Sequence, residues 1–279
     1  MSHPDPDALA SALEALRDDV SSAAAAYVEE ARAALTPPAT PGLGGPAPEE
    51  ALAPAALAGV IDHTQLRPAA TDAQIETLCE EARSNGFAAA CVHPVHLPRV
   101  ARALADTDVT PSTVVGFPHG AHQPAIKAQE AERAVMAGAR ELDMVLSLGA
   151  VTSGRYADAE ADVRAVVTAA RDAAQVVDAP VAVKVILETA LLSAPQVAVA
   201  CVIARRAGAD FVKTSTGFAS GGARSEDVAL MRQIVGPDLG VKASGGIGSV
   251  AQARAMRAHG ASRLGASGSV AIIEDRAAA

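Results

Sequence analysis

From about residue 56 the chain alternates two kinds of apolar pattern. Runs of five to seven mostly apolar residues recur eight times, as AGVID, FAAACV, STVVGF, ELDMVL, VAVKVIL, DFVKTS, GVKAS and SRLGAS. Between them lie longer stretches, such as TDAQIETLCEEARSNG and QPAIKAQEAERAVMAG, with apolar residues at helical spacing. Several of these end in a glycine just before the next run (Gly86, Gly138, Gly208, Gly260), the position that closes a helix with a left-handed residue. Strands alternating with helices predict a parallel sheet with helices outside it. Eight such units over about 220 residues fit a closed (β/α)8 barrel of the TIM type. An open doubly wound sheet is the alternative that strand count alone leaves standing.

The first part of the chain is different. Residues 7–35 lack Gly and Pro and are rich in Ala, with Leu9, Leu13, Leu16 and Val20 at helical spacing, which predicts one amphipathic helix. Residues 36–54 carry six prolines and three glycines, the composition of a linker. The expected organisation is an N-terminal helical extension with its Pro/Gly-rich linker over 1–55 and a barrel over 56–279. Whether the extension docks on the barrel or on a partner chain is open at this level.

Composition narrows the function. A net charge of -9 and the absence of Trp argue against nucleic acid, whose binders show basic patches and stacking aromatics. No apolar run reaches the ~18 residues of a membrane span, and no basic, apolar leader opens the chain. The cysteines Cys79, Cys91 and Cys201 are odd in number and widely spaced, as expected of buried thiols in the cytoplasm rather than of a disulfide framework.

The chemistry is signalled by lysine. The chain has 19 arginines but only four lysines, Lys127, Lys184, Lys213 and Lys242, and the last three each follow an apolar run at intervals of 29 residues. That interval is one βα unit, so it predicts three lysines near the ends of strands 5, 6 and 7, converging on the barrel face where active sites lie. Arginine stays charged, whereas a buried or crowded lysine loses its proton readily and can then attack a carbonyl. The competing reading is that each lysine serves a structural ion pair. Asp143, in ELDMVL, lies among apolar residues near the end of strand 4, where a carboxylate needs a partner. A converging lysine would supply one, in an ion pair or in a proton relay. Two glycine-rich pieces, ASGGIGS (243–249) and GASGS (265–269), follow strands 7 and 8 and open helices, a frequent phosphate site in barrels. Five histidines, His63, His93, His96, His119 and His122, follow strands 1 to 3. They could hold a metal, but they sit in loops without a rigid helical face, and the expectation is no metal.

These pieces together resemble the 2-deoxyribose-5-phosphate aldolases. The resemblance is carried by IDHTQLRPAAT (61–71), GFAAACVHP (86–94), VVGFPHGA (114–121), ELDMVLSLGAVTSGRY (141–156), VKVILETALL (183–192), GADFVKTSTGF (208–218), VKASGGI (241–247) and GASRLGAS (260–267). It covers about residues 56–275 and implies a metal-independent, cofactor-free class I aldolase on a TIM barrel. It implies that Lys213 forms the Schiff base, that Lys242 lowers its pKa and that Asp143 relays protons. It further implies substrate contacts at Lys184, Thr214, Gly217, Gly245, Gly246, Gly265, Ser267, Asp62, Thr64 and Cys91. The implied reaction is reversible cleavage of 2-deoxy-D-ribose 5-phosphate to D-glyceraldehyde 3-phosphate and acetaldehyde, in deoxyribose phosphate catabolism. The implied assembly is a dimer or tetramer of identical chains. The chain departs from the family pattern at Gln65, Arg67, His93 and His119, all on the expected substrate rim. Two other readings remain: a different Schiff-base barrel aldolase, and a non-catalytic barrel that binds a sugar phosphate.

Overall fold

The eight apolar runs become eight parallel strands that close on themselves in chain order in the computed structural model, which describes residues 5–35 and 54–274. They are β1 (Ile61–Gln65), β2 (Ala89–Val92), β3 (Thr110–Val115), β4 (Glu141–Val145), β5 (Ala182–Ile186), β6 (Phe211–Lys213), β7 (Gly240–Ser244) and β8 (Arg263–Ala266). Closure comes from β8 pairing with β1, Leu264 beside Ile61 and Gly265 beside Asp62. The open-sheet alternative is thereby excluded. The expected linker, apart from its last residue, lies outside the described residues.

Around the barrel run α4 (Asp72–Asn85), α5 (Leu97–Ala103), α6 (Pro124–Met136), α8 (Tyr156–Val176), α9 (Ala194–Arg206), α10 (Ser225–Val235), α11 (Val250–Ala258) and α12 (Ser269–Ile273). Two short helices, α3 (Pro54–Ala58) and α7 (Leu148–Thr152), precede β1 and α8. Local sequence sets their ends. Thr71 and Gln74 form a reciprocal capping box at the start of α4, and Gly86 closes that helix at φ 64°. The helices bury Val, Leu, Ile and Ala against the outward face of the strands, whose inward residues alternate with them.

The N-terminal segment differs from the single helix expected. It forms α1 (Pro6–Asp19) and α2 (Ser22–Leu35), broken where Val20 turns extended. Asp18 and Asp19 oppose the helix dipole at that end, and Ser21 and Ser22 favour a helix start over a helix interior. The two helices lie antiparallel, tied by Arg17–Glu29 at 2.7 Å and Arg32–Glu14 at 2.5 Å. The hairpin docks on the outside of its own barrel. Glu30 pairs with Arg205 and Arg206 of α9 at 2.7 and 2.6 Å. Tyr27 donates to Glu160 of α8 at 2.7 Å, and its ring lies 4.3 Å under the Arg206 guanidinium.

Candidate active site

Strand register decides which side chains meet. Lys213 and Lys242 are direct partners across β6 and β7. Lys184 pairs instead with Phe211, two residues before Lys213, so it lies one inward layer deeper. The equal spacing in sequence therefore does not bring all three lysines to one level. Lys184 and Lys242 stand inside their strands and only Lys213 ends one, because the barrel's shear and unequal loop lengths offset the strands.

Seven charged side chains from six strands meet inside the barrel. Asp143 is the hub. Its Oδ2 accepts from Lys213 Nζ and Lys242 Nζ, each at 2.7 Å, and its Oδ1 accepts from Lys184 Nζ at 2.9 Å. Lys184 also reaches Glu141 at 2.6 Å and Asp62 at 3.5 Å. Lys242 makes a second, short contact with Asp62. Arg263 closes the ring, donating to Asp62 at 2.7 Å and pairing with Glu141 at 3.0 Å. All but the half-buried Arg263 are buried.

The charges do not balance if every group is ionised, since three carboxylates face four bases. In a dry interior one base is best neutral. Lys213 is the one lysine of the network whose pKa is shifted toward the neutral form. Burial pulls its pKa below the ordinary lysine value, Asp143 opposes this, and the charge on Lys242 lowers it further. Burial also acts to lower Lys242, but Asp143 and Asp62 outweigh it and raise the pKa. Lys184 is raised against its burial by Asp143, Asp62 and Glu141. Burial alone would raise Asp143, yet Lys184, Lys213 and Lys242 hold it well below the carboxylate range. The network thus keeps a charged Lys242 and an ionised Asp143 beside a lysine prone to lose its proton.

A cavity of about 1110 Å³ opens above this network. Of the three lysines only Lys213 lines it, with Thr216, Gly217 and Phe218 beside it. Its far wall is made by Ser244 at the end of β7 with residues 245–249 after it, and by Gly265 and Ala266 at the end of β8 with Ser267 and Gly268 after them. Gly265 is required beside the network: a Cβ there would lie 2.8 Å from the Ser244 side chain and 3.1 Å from Lys242 Cε. The near wall is Thr64 to Arg67 and, on α4, Gln74, Thr77 and Glu81. Arg67 is exposed, and its guanidinium has no carboxylate partner among the described residues.

Of the expected substrate contacts, Thr64, Gly217, Gly245, Gly246, Gly265 and Ser267 line the cavity. Asp62, Cys91, Lys184 and Thr214 are fully buried and are not among its lining residues. Asp62 and Lys184 belong to the ion network below. Thr214 spends its hydroxyl stitching β6 to β7, donating to Ser244 O and accepting from Ser244 N, both at 3.1 Å. Cys91 packs with Leu66, Val114 and Phe117, and burial pushes its thiol pKa up.

Glu141, Arg263 and Glu188 were not evident in the sequence. Glu188, at φ 53°, accepts the Thr216 amide at 3.2 Å and makes a short contact with its hydroxyl, fixing the turn after Lys213. The only sequence signal for these groups is a charge beside an apolar run. The histidines disperse. His93 contacts Leu66 O at 3.0 Å, and His63 turns to the helix layer, where it meets Glu81. Among the described residues no group of three His, Cys, Asp or Glu side chains is arranged to hold a metal.

Known proteins resemble this chain over the whole barrel. The family model described as DeoC/LacD family aldolase matches residues 56–272. The chain is 49% identical over 222 residues to a deoxyribose-phosphate aldolase of Geobacillus sp. (strain WCH70), covering 80% of this chain and 96% of that protein. It is 50% identical over 218 residues to one from Macrococcus caseolyticus, covering 78% and 96%. Among solved structures, the tetrameric deoxyribose phosphate aldolase of Aeropyrum pernix superposes with a TM-score of 0.73 at 34% identity, covering 80% of this chain and 91% of that one. A Coccidioides immitis structure superposes with a TM-score of 0.77 at 37% identity and covers 98% of both chains.

Proposed function

The chain belongs to the DeoC/LacD family of aldolases, and from that premise we propose that it is a deoxyribose-phosphate aldolase whose Schiff base forms on Lys213. The observation that carries the residue assignment is that Lys213 alone of the network's lysines lines the cavity, and it is the one whose pKa is lowered.

Open-chain 2-deoxyribose 5-phosphate binds with its aldehyde at Lys213. Neutral Nζ adds to C1, and loss of water gives an iminium. Removal of the proton from the C3 hydroxyl breaks C2–C3, and the bonding pair flows toward the iminium nitrogen. Glyceraldehyde 3-phosphate leaves. The enamine takes a proton at C2, and hydrolysis releases acetaldehyde and regenerates the amine. The electron sink is the lysine imine itself, so the cycle needs no cofactor or metal. Asp143, ionised and within 2.7 Å of both lysines, passes protons between the reacting groups and Lys242. Lys242, screened from the cavity, acts through Asp143. Lys184, Glu141, Asp62 and Arg263 hold Asp143 in place from below.

The phosphate sits on the amides of the loops after β7 and β8, and Arg67 supplies a charge from the opposite wall. The barrel over 56–279 is the catalytic unit, with 1–55 as an extension to it. Assembly into a dimer or tetramer is consistent with the tetrameric Aeropyrum pernix relative. A cytoplasmic setting is consistent with three buried free cysteines.

Borohydride reduction in the presence of acetaldehyde, followed by peptide mapping, tests the assignment. An ethyl group on the peptide holding Lys213 is expected. An adduct on Lys184 or Lys242 would overturn it. Lys213→Arg is expected to be inactive, because guanidinium forms no imine.

A further inference from the structure

Asp62 and Thr64 of β1 serve the barrel's interior and its mouth, and the residue between them faces the other way. His63 is 97% buried, and it bridges two elements remote in sequence. Its Nδ1 lies 3.0 Å from Oγ of Ser269, the first residue of α12, and its Nε2 lies 2.7 Å from Oε2 of Glu81 on α4. Ser269 donates its hydroxyl proton to Ala266 O at 2.9 Å, which pins the loop Ala266–Gly268 from behind. The Glu81 carboxylate accepts from His63 Nε2–H, so on a neutral ring Nδ1 is an acceptor and the Ser269 hydroxyl is shared between Ala266 O and Nδ1. The ring is further held against Phe87, with centroids 5.1 Å apart. His63, Glu81 and Gly265–Gly268 all line the cavity.

From this chain of contacts we propose that His63 is a positioning residue for the phosphate seat: it ties the loop after β8, through Ser269, to Glu81 on α4. The proposal rests on the phosphate lying on that loop. The loop's amides present themselves to an anion only while the loop keeps its shape. The Ser269 hydroxyl holds that shape, and His63 fixes the direction of the hydroxyl. No part of the link touches the reacting carbon or Lys213. Its effect therefore belongs to recognition of the phosphate and not to the bond cleavage.

The test compares 2-deoxyribose 5-phosphate with 2-deoxyribose in His63→Leu, Ser269→Ala and their double variant. Each single change is expected to raise KM for the phosphorylated sugar about fivefold or more, the size of one lost hydrogen bond, with kcat within about twofold. Activity on 2-deoxyribose should be unchanged. The double variant should be no worse than the poorer single one, since both break one link. His63→Asn, which keeps a hydrogen-bonding group toward Ser269, should recover most of the loss, and it serves as the probe if His63→Leu does not fold. Equal losses on both sugars, additive effects, or no rise in KM would overturn the proposal. Ser267→Asp, which places a negative charge in the loop, separates this from the underlying reading. If Ser267→Asp raises KM for the phosphorylated sugar and the His63 variants do not, the phosphate seat stands and the role of His63 falls. If Ser267→Asp leaves KM unchanged, the phosphate lies elsewhere and both fall.

Discussion

Lys213 and Lys242 are register partners across β6 and β7, and both Nζ atoms lie 2.7 Å from the same oxygen, Oδ2 of Asp143. Two identical side chains on one acceptor still have their pKa values shifted in opposite directions. Lys242 has a second carboxylate, Asp62, and is screened from the cavity. Among the described residues Lys213 pairs with Asp143 alone, and it sits at the cavity floor. The asymmetry between the two lysines therefore comes from β1, a strand on the other side of β7 and β8 from Lys213.

The pH profile of Lys242→Met should expose this. In the native protein burial is the leading cause of the lowered Lys213 pKa, with Lys242 adding to it. Removing Lys242 leaves three carboxylates facing three bases, a balance that favours protonated Lys213. Its folded-state pKa should rise toward the ordinary value of about 10.4. Imine trapping needs the neutral amine, so the variant should be slow at pH 7 and recover as pH rises. The rate of borohydride trapping against pH measures it. Equal apparent midpoints in the two proteins would confine Lys242 to proton transfer.

Lys184→Met probes the deeper layer. Lys184 contacts Asp143, Glu141 and Asp62 and does not line the cavity. Its loss strips three buried carboxylates of a shared partner, so stability should drop by about 3–5 kcal/mol. In the fraction that remains folded, KM for the sugar phosphate should change less than kcat, because Asp143 is displaced and the binding walls are not. A variant with normal kcat and a large rise in KM would instead make Lys184 a direct substrate contact.

Much of this was legible in the sequence, and the exceptions have physical causes. Eight apolar runs alternating with helical stretches are enough for a barrel, since each strand's pattern is local. Scarce lysines after apolar runs marked Lys213 and Lys242. The depth of Lys184 was not legible, because strand register depends on shear, a property of the closed sheet. The break at Val20 was hidden by an Ala-rich pattern that continues on both sides of it. His63 gave no sign of its role because its partners lie 18 and 206 residues away. Glu141 and Arg263 read as the polar ends of strands until closure set β8 beside β1.

Arg67 should separate phosphorylated from unphosphorylated substrate. It is exposed on the cavity wall with no carboxylate partner among the described residues, so its charge is available to a ligand. Hydrogen bonds to a charged group contribute about 1.5–3 kcal/mol. Arg67→Gln should lower kcat/KM for 2-deoxyribose 5-phosphate by roughly 10- to 100-fold and leave 2-deoxyribose unaffected. The salt dependence of KM should also weaken in the variant. Equal kinetics in variant and native protein would remove Arg67 from the phosphate site.

Chelation should not change turnover. The proposed cycle draws its electron sink from Lys213 and its proton transfers from Asp143 and Lys242. Prolonged treatment with EDTA, followed by assay in metal-free buffer, is the measurement. Lost activity that one divalent ion restores would require a different mechanism.

The fourth lysine supplies a prediction away from the cavity. Lys127 on α6 is fully buried, donating to Val145 O at 2.9 Å and to Asp162 Oδ2 of α8 at 2.7 Å. The other carboxylate oxygen of Asp162 makes no hydrogen bond of good geometry among the described residues. Burial raises the Asp162 pKa, and Lys127 opposes the rise. Lys127→Met removes that opposition and leaves a buried carboxylate uncompensated, at a cost of about 3–5 kcal/mol. A carboxyl whose folded pKa lies above its unfolded value stabilises the fold while protonated, and that contribution is lost as pH rises through the folded pKa. The deficit of Lys127→Met should therefore be smallest at acidic pH and grow toward pH 8. Adding Asp162→Leu removes the stranded charge and should recover most of the loss, since an apolar pair of similar volume often replaces a buried ion pair at little cost. Urea unfolding of the native protein and the single and double variants, between about pH 5 and 8, gives the comparison. A double variant as unstable as the single one would show that Lys127 acts through its bond to Val145 O and not through Asp162.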